Sequence, residues 1–463
     1  MSTPKNPTGD LGGLTRRESL RLLGTGAMAT LGGGVLALHD PAPAATPVPQ
    51  QTAAATAAPK VVGPASITFW SMWASEPGKR KFVDDTIAAY QTAHPGIKIT
   101  VTWYEKAPLN QALTTAFMAG SGAPDMFYED VITYNQFIDS GWMADLKGKL
   151  DENQFPLEGF EVSMRRPGKV YGVPLEGIIS TVWYNAKIFR DMGITVPDSR
   201  QMTQKEFETV MDQVKAKGLI PLAGGAADTA WGGFHGSSFI MRVAGKDKFS
   251  GLLDKRTTWS DPDVVQGLRL AKSWFEKGYF NDTIQTLKAT EAYQLFFQRK
   301  TAMIYVGSFL LSNATNPPDK GGAPTDFEFG VMMFPSVDGG KGNRLIGNRT
   351  GGMYSVYSKS KYIDICADFL NFMGRPEGAV AWMQYTNVPT WLKAPAGAKV
   401  HPMLTEQLKL LETYERQNPE LTNRLFNNEG AAFNKWVGSG MFDKSVTVEQ
   451  MVKELTDARR RDA

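Results

Sequence analysis

Between Ile67 and Tyr128 the chain alternates three short apolar runs with two stretches of helical spacing. Few folds accept that pattern. Ile67-Thr68-Phe69-Trp70 reads as a buried strand, and residues 79–93 carry Phe82, Ile87 and Tyr90 on one helical face. His94-Pro95-Gly96 stops that helix, and Ile97 to Val101 alternates as a second strand. Residues 109–119 are helical again, Ser121-Gly122-Ala123-Pro124 turns the chain, and Asp125 to Tyr128 is a third strand. Strand–helix–strand–helix–strand argues for an α/β sheet with right-handed crossovers.

Local signals continue along the chain. Asn185 caps a short helix ending near Gly193, and Thr203-Gln204-Lys205-Glu206 is a capping box for a helix to about Lys217. Asp261-Pro262-Asp263 opens a helix that Gly278 closes. Residues 302–306 and 329–333 read as strands. Thr447-Val448-Glu449-Gln450 is a second capping box, on a helix with Arg459, Arg460 and Arg461 in its last turn. A length of 463 residues implies two domains, or three small ones.

Composition and motifs exclude several function classes. A net charge of +3 is too small for a protein that coats nucleic acid. One cysteine, Cys366, permits no internal disulfide, and its apolar helical context reads as packed core. The four histidines are scattered, so neither a metal nor a cofactor is expected. The mature chain has no nucleophile elbow, phosphate loop or dinucleotide fingerprint. Forty-seven carboxylates leave a glycosidase pair open, with no motif to position one.

The first 44 residues read as a targeting segment. Adjacent Arg16 and Arg17 precede a glycine-diluted apolar stretch, Leu22 to Leu38, and Ala42-Pro43-Ala44 is a small-x-small cleavage pattern. This resembles a twin-arginine signal, with an uncleaved membrane anchor as the alternative. No cysteine follows the apolar stretch, so a soluble product without lipid is expected. Residues 45–64 read as a linker.

In open parallel sheets, ligands bind beyond the carboxyl ends of strands where strand order reverses. For order 2-1-3, those ends carry Trp73, Glu76, Glu129 and Asp130. Indole faces stack on pyranose C–H groups, and carboxylates accept paired hydroxyls. Trp73 alone fits the core equally well, with Glu76 as a helix-start charge. Residues 226–236 read as a glycine-rich loop presenting Trp231 and Phe234 to a ligand, or folded onto its own domain. His235 is expected to be a hydrogen-bonding neighbour there.

Several segments in order carry a family resemblance. They are Ile67–Trp73 with His94–Ile99, Ala119–Asp125, Gly172–Pro174 through Trp183–Asn185, Phe297–Met303 with Gly307–Phe309, and Gly351–Val356. Over about residues 65–460 the chain resembles the extracellular solute-binding proteins of ABC sugar importers, the group that includes maltose-binding protein. Arg299 stands where that family often has glycine.

The resemblance implies an α/β, two-lobed periplasmic-binding-protein fold of type II, each lobe a mostly parallel sheet flanked by helices. Lobe 1 would be 65–174 with 353–395, and lobe 2 would be 177–342 with 400–463. The hinge is expected near 174–176, 343–352 and 394–400. It implies ligand positions at Trp73, Glu76, Glu129, Asp130, Glu176, Trp231, Phe234 and Phe309, with Arg349, Gly351 and Trp436 as weaker candidates. It further implies a non-enzymatic, exported monomer that delivers a carbohydrate to membrane permease subunits. A secreted glycosidase and a receptor for a non-sugar solute are the competing readings.

Overall fold

The computed structural model describes residues 64–462 except 130–132, 152, 156–167, 393, 396, 419, 423 and 426, together with the backbone at Leu36–Ala37. Most of the targeting segment and Asp130 therefore lie outside the described residues, as does the side chain of Glu129. The secondary elements fall into two sheets flanked by helices.

The first sheet begins with β1 (Ala65–Ser71), β2 (Ile97–Trp103) and β3 (Met126–Glu129). β1 pairs in parallel with both others, from Ala65 opposite Ile97 to Ser71 opposite Trp103, and with Phe69 opposite Met126. The expected 2-1-3 order is present. The sheet is completed by β4 (Gly172–Pro174) and by Met353–Val356, which runs antiparallel to both β3 and β4. Alternation of buried and exposed residues along β1 follows from a strand whose faces meet different surroundings.

The second sheet is built on β5 (Gly177–Asn185), buried along its whole length. Around it stand β6 (Ile220–Ala223), β7 (Thr301–Gly307), β8 (Glu328–Met332), β9 (Leu345–Thr350) and β11 (Glu415–Gln417), while β10 is the Met353–Val356 strand of the first sheet. β5 is antiparallel to β7, β8 and β9, while β6–β7 and β9–β11 are parallel. The expectation of mostly parallel sheets is thus corrected: both are mixed. Strands that cross between sheets must run back against the strands they join, which enforces antiparallel pairs. Leu36–Ala37 adds a two-residue antiparallel pairing beside β8.

The sheets exchange strands over very short spans. Pro174 belongs to the first and Gly177 to the second; Thr350 belongs to the second and Met353 to the first. A third segment runs alongside: Gly177 N–H donates to Pro389 O, and Trp391 N–H to Leu175 O. Three segments, 175–177, 350–351 and 389–391, therefore lie side by side.

The cap signals hold. Asn185 accepts from Ile188 N–H, the Thr203–Glu206 box is reciprocal, and Asp261 accepts from Asp263 N–H. At Thr447 the side chain accepts from Gln450 N–H, which is one half of the expected box. Cys366 is fully buried, and burial raises its thiol pKa, as its apolar context implies. Arg299 has φ of 59°, so the position where relatives often have glycine is left-handed here. Its guanidinium is held by the Asp326 carboxylate at 2.9 Å and the Asp326 carbonyl at 2.8 Å.

Candidate functional site

The site is best built from the buried charge at its centre. Pro77–Ala93 begins with proline in its first turn, which suits the fixed φ of that residue. One turn in, Lys79 is buried, with its ammonium 2.9 Å from Glu76 and 2.6 Å from Glu176. Burial alone would lower its pKa, but Glu176 and Glu76 outweigh that and hold it above the ordinary lysine value. Glu176 sits on the short link between β4 and β5. A Cβ on Gly351 would lie 1.9 Å from its Oε2, so this carboxylate needs glycine on the neighbouring crossing strand.

Trp73 lies beside this group. Its ring is 4.5 Å from Tyr128, 5.7 Å from Trp382 and 5.9 Å from Tyr354, with the Lys79 ammonium 4.9 Å from its centre. It is 2% exposed and has φ of 83°, an uncommon conformation for a bulky residue. Three rings and a cation clamp it there. Its indole N–H is buried without an acceptor among the described residues.

The second sheet supplies the facing wall. Residues 231–236, expected in a loop, instead form the first turns of the Trp231–Leu253 helix. The glycines serve packing: a Cβ on Gly232 would meet Val437 O at 2.4 Å, and one on Gly233 would meet Thr422 Oγ1 at 2.3 Å. Trp231 is fully buried, its indole N–H also lacks an acceptor among the described residues, and Phe234 is half-buried 6.0 Å from it. His235 is buried, its Nδ1 3.5 Å from Trp231 O, and burial pushes its pKa down to about 4. Trp436, half-buried, sits in a π-helical turn, Phe433–Ser439, with the Lys435 ammonium 4.5 Å from its ring.

Phe309 follows β7. A Cβ on Gly307 would touch its ring at 2.5 Å, so the glycine makes room for it. Tyr293 is 6.4 Å from Phe309, ring to ring. Burial raises the Tyr293 pKa, as do the carboxylates of Asp228 and Glu76, while Arg349 opposes them. Glu76 from the first sheet's side and Asp228 and Arg349 from the second's thus lie within electrostatic reach of the Tyr293 hydroxyl. Arg349 is itself ion-paired with Glu420, both largely buried. Asn387 Nδ2 donates to Thr315 Oγ1 at 3.0 Å, a further contact across the two halves.

The structure thus brings together Glu76, Trp73 and Glu176 on one side and Phe309 and Arg349 on the other. It also brings in Lys79, Tyr293, Asp228 and Glu420, which sequence reasoning missed. Lys79 was within reach, since Glu76 and Lys79 are three apart in a helix's first turn. No local signal marks Tyr293 or Glu420. Among the described residues, no group of histidine, cysteine and carboxylate could hold a metal ion, and no helix is long and apolar enough to cross a membrane.

A family model described as bacterial extracellular solute-binding protein matches residues 73–380. The sn-glycerol-3-phosphate-binding periplasmic proteins UgpB of Salmonella typhimurium and Escherichia coli K12 are each 24% identical over 346 residues, covering 69% of this chain and 73% of their own. Among solved structures, a chitin oligosaccharide binding protein has a TM-score of 0.74 at 23% identity, covering 86% of this chain and 98% of its own. A Bacillus licheniformis sugar transporter in complex with stachyose has a TM-score of 0.64 at 18% identity, covering 85% and 100%. The structural likenesses show a shared two-lobed fold.

Proposed function

Because the chain belongs to the bacterial extracellular solute-binding protein family, we propose that it captures a neutral sugar between two lobes and delivers it to an ABC importer's permease. The lobes are 65–174 with 353–395 and 177–342 with 400–463, hinged near 174–176, 343–352 and 394–400. Sugar contacts on both lobes favour the closed arrangement, and no bond is made or broken.

The observation that carries this reading is the pairing of the charges that face the cleft. Lys79 is neutralised by Glu76 and Glu176, and Arg349 by Glu420. A phosphorylated solute, such as the one UgpB is named for, needs convergent cations free to pair with it. A neutral polyol needs aromatic faces with donors and acceptors. Half-buried Phe309 and Trp436 would supply faces, Glu76 and Asp228 acceptors, and the Trp73 and Trp231 indoles donors. Glu129 and Asp130 belong to the same proposal from their place at the end of β3. Chitin-oligosaccharide and stachyose binding by the fold's relatives supports an oligosaccharide.

The test is a panel of mono- and oligosaccharides with sn-glycerol 3-phosphate, read by intrinsic fluorescence and melting temperature. A cognate sugar at 100 times its dissociation constant should add about 2.7 kcal/mol. Response to glycerol phosphate alone would overturn the sugar reading, and recovery of cleaved sugar would overturn the non-enzymatic one. Trp231→Ala should weaken the cognate sugar more than about tenfold, or ~1.4 kcal/mol. Export is proposed to follow the twin-arginine route with cleavage after Ala44 and no lipid. Intact mass of the exported protein should then begin at Ala45.

A further inference from the structure

We propose that a hollow on the back of the hinge is a second binding site, for a small organic oxyanion of about monosaccharide size. Strand alternation separates it from the sugar cleft. Glu176, Ile178 and Arg349 share one face of the paired crossing strands, because Arg349 lies opposite Ile178. Asn348 and Thr350 project from the other face, and the hollow opens there. Its volume is about 360 Å³, and its walls include Lys246, Asn348, Trp391, Tyr414, Arg416 and Asn418. That volume suits a six-membered ring with substituents.

Arg416 decides the ligand's charge. It lies on β11, opposite Ile346 of β9, and is half-buried. Among the described residues no carboxylate or carbonyl holds its guanidinium, and burial is the cause that lowers its pKa. The buried cations among the described residues have partners. Lys79 has two carboxylates, Arg459 has Glu429, and Arg242 donates to the carbonyls of Phe334, Pro335, Gly342 and Leu345. Lys246, at the rim, is already paired with Glu415. A desolvated guanidinium is unfavourable until a planar oxyanion accepts its forked donors. Trp391 and Tyr414 offer ring surfaces, and the Asn348 and Asn418 amides suit hydroxyls. The fit is to a hydroxylated ring bearing a carboxylate or phosphate.

The experiment titrates the mature protein with glucuronate, glucose 6-phosphate, inorganic phosphate and glucose, read by calorimetry. Arg416→Gln, Arg416→Met and Trp231→Ala are run in parallel, and each is also titrated with the cognate sugar of the cleft. Saturable binding of glucuronate or glucose 6-phosphate, weakened at least about tenfold in Arg416→Gln and unchanged in Trp231→Ala, is the expected result. The two organic anions separate a carboxylate from a phosphate ligand. No saturable response to either, equal binding in Arg416→Gln, or loss in Trp231→Ala instead would each overturn the proposal. So would inorganic phosphate binding as tightly as the organic anions. Arg416→Met should also raise the melting temperature of the unliganded protein, and a fall would show that the guanidinium already has a partner. A sugar response that fails while the anion response persists counts against the cleft reading alone.

Discussion

The front of the hinge holds a buried cation between two carboxylates, whereas the back holds a half-buried one to which the described residues supply none. Lys79 and Arg416 both lie close to the crossing strands, the first buried and the second half-buried. Around Lys79 the protein more than supplies the counter-charge from its own chain, so that side offers an incoming solute hydrogen-bonding groups and no unpaired cation. Around Arg416 the counter-charge is left to something else. A cleft that completes its own charges selects for neutral ligands, and a hollow that does not selects for anions.

The largest effect should come from breaking the front pair. Glu176→Ala leaves Lys79 buried with only Glu76, and should cost about 3–5 kcal/mol in urea denaturation. Lys79→Met combined with Glu176→Gln should recover most of that loss; no recovery would mean that Glu176 acts through packing. The Lys79 pKa is raised in the folded state. This stabilisation is therefore complete below the ordinary lysine value and is lost only as pH rises through the folded value.

His235 shows a third way of burying a base, which is to keep it neutral. Its folded pKa of about 4 lies below its ordinary value, so its contribution is complete above pH of about 6.5 and disappears as pH falls towards 4. About 3 kcal/mol should be lost across that window, and unfolding curves for His235→Gln should lack this component. A similar acid dependence in the variant would assign the effect to other groups.

Gly351→Ala sharpens the front further. Its methyl would collide with Glu176, and a cost of about 1–3 kcal/mol is expected, with sugar affinity falling in step. Unchanged melting and affinity would show that the carboxylate moves freely. The smallest effect belongs to the back, where Arg416→Met should stabilise the unliganded protein by about 1 kcal/mol in the same denaturation assay.

Much of the scaffold was legible because its signals are local. The helix starts at Asn185, Thr203 and Asp261 depend on side chains reaching backbone groups two or three residues away. The parallel direction of the first three strands follows from strand–helix alternation, and their 2-1-3 order is one of those that right-handed crossovers allow. The run from Trp231 to Gly236 misled because its glycines have a purpose that is invisible locally. They admit the 433–439 turn and Thr422 against a helix, which a loop reading cannot foresee.

By itself, the sequence determined where strands and helices begin and that Cys366 is core. Each rests on hydrophobic period or short-range capping. Only the tertiary structure decided that Trp73 would be clamped at φ of 83°, that Lys79 would meet Glu176, that Arg349 would meet Glu420, and that Arg416 would meet no carboxylate among the described residues. A charge's partner is chosen by which distant strands become neighbours. Once water is excluded, the presence or absence of that partner sets what the site can bind.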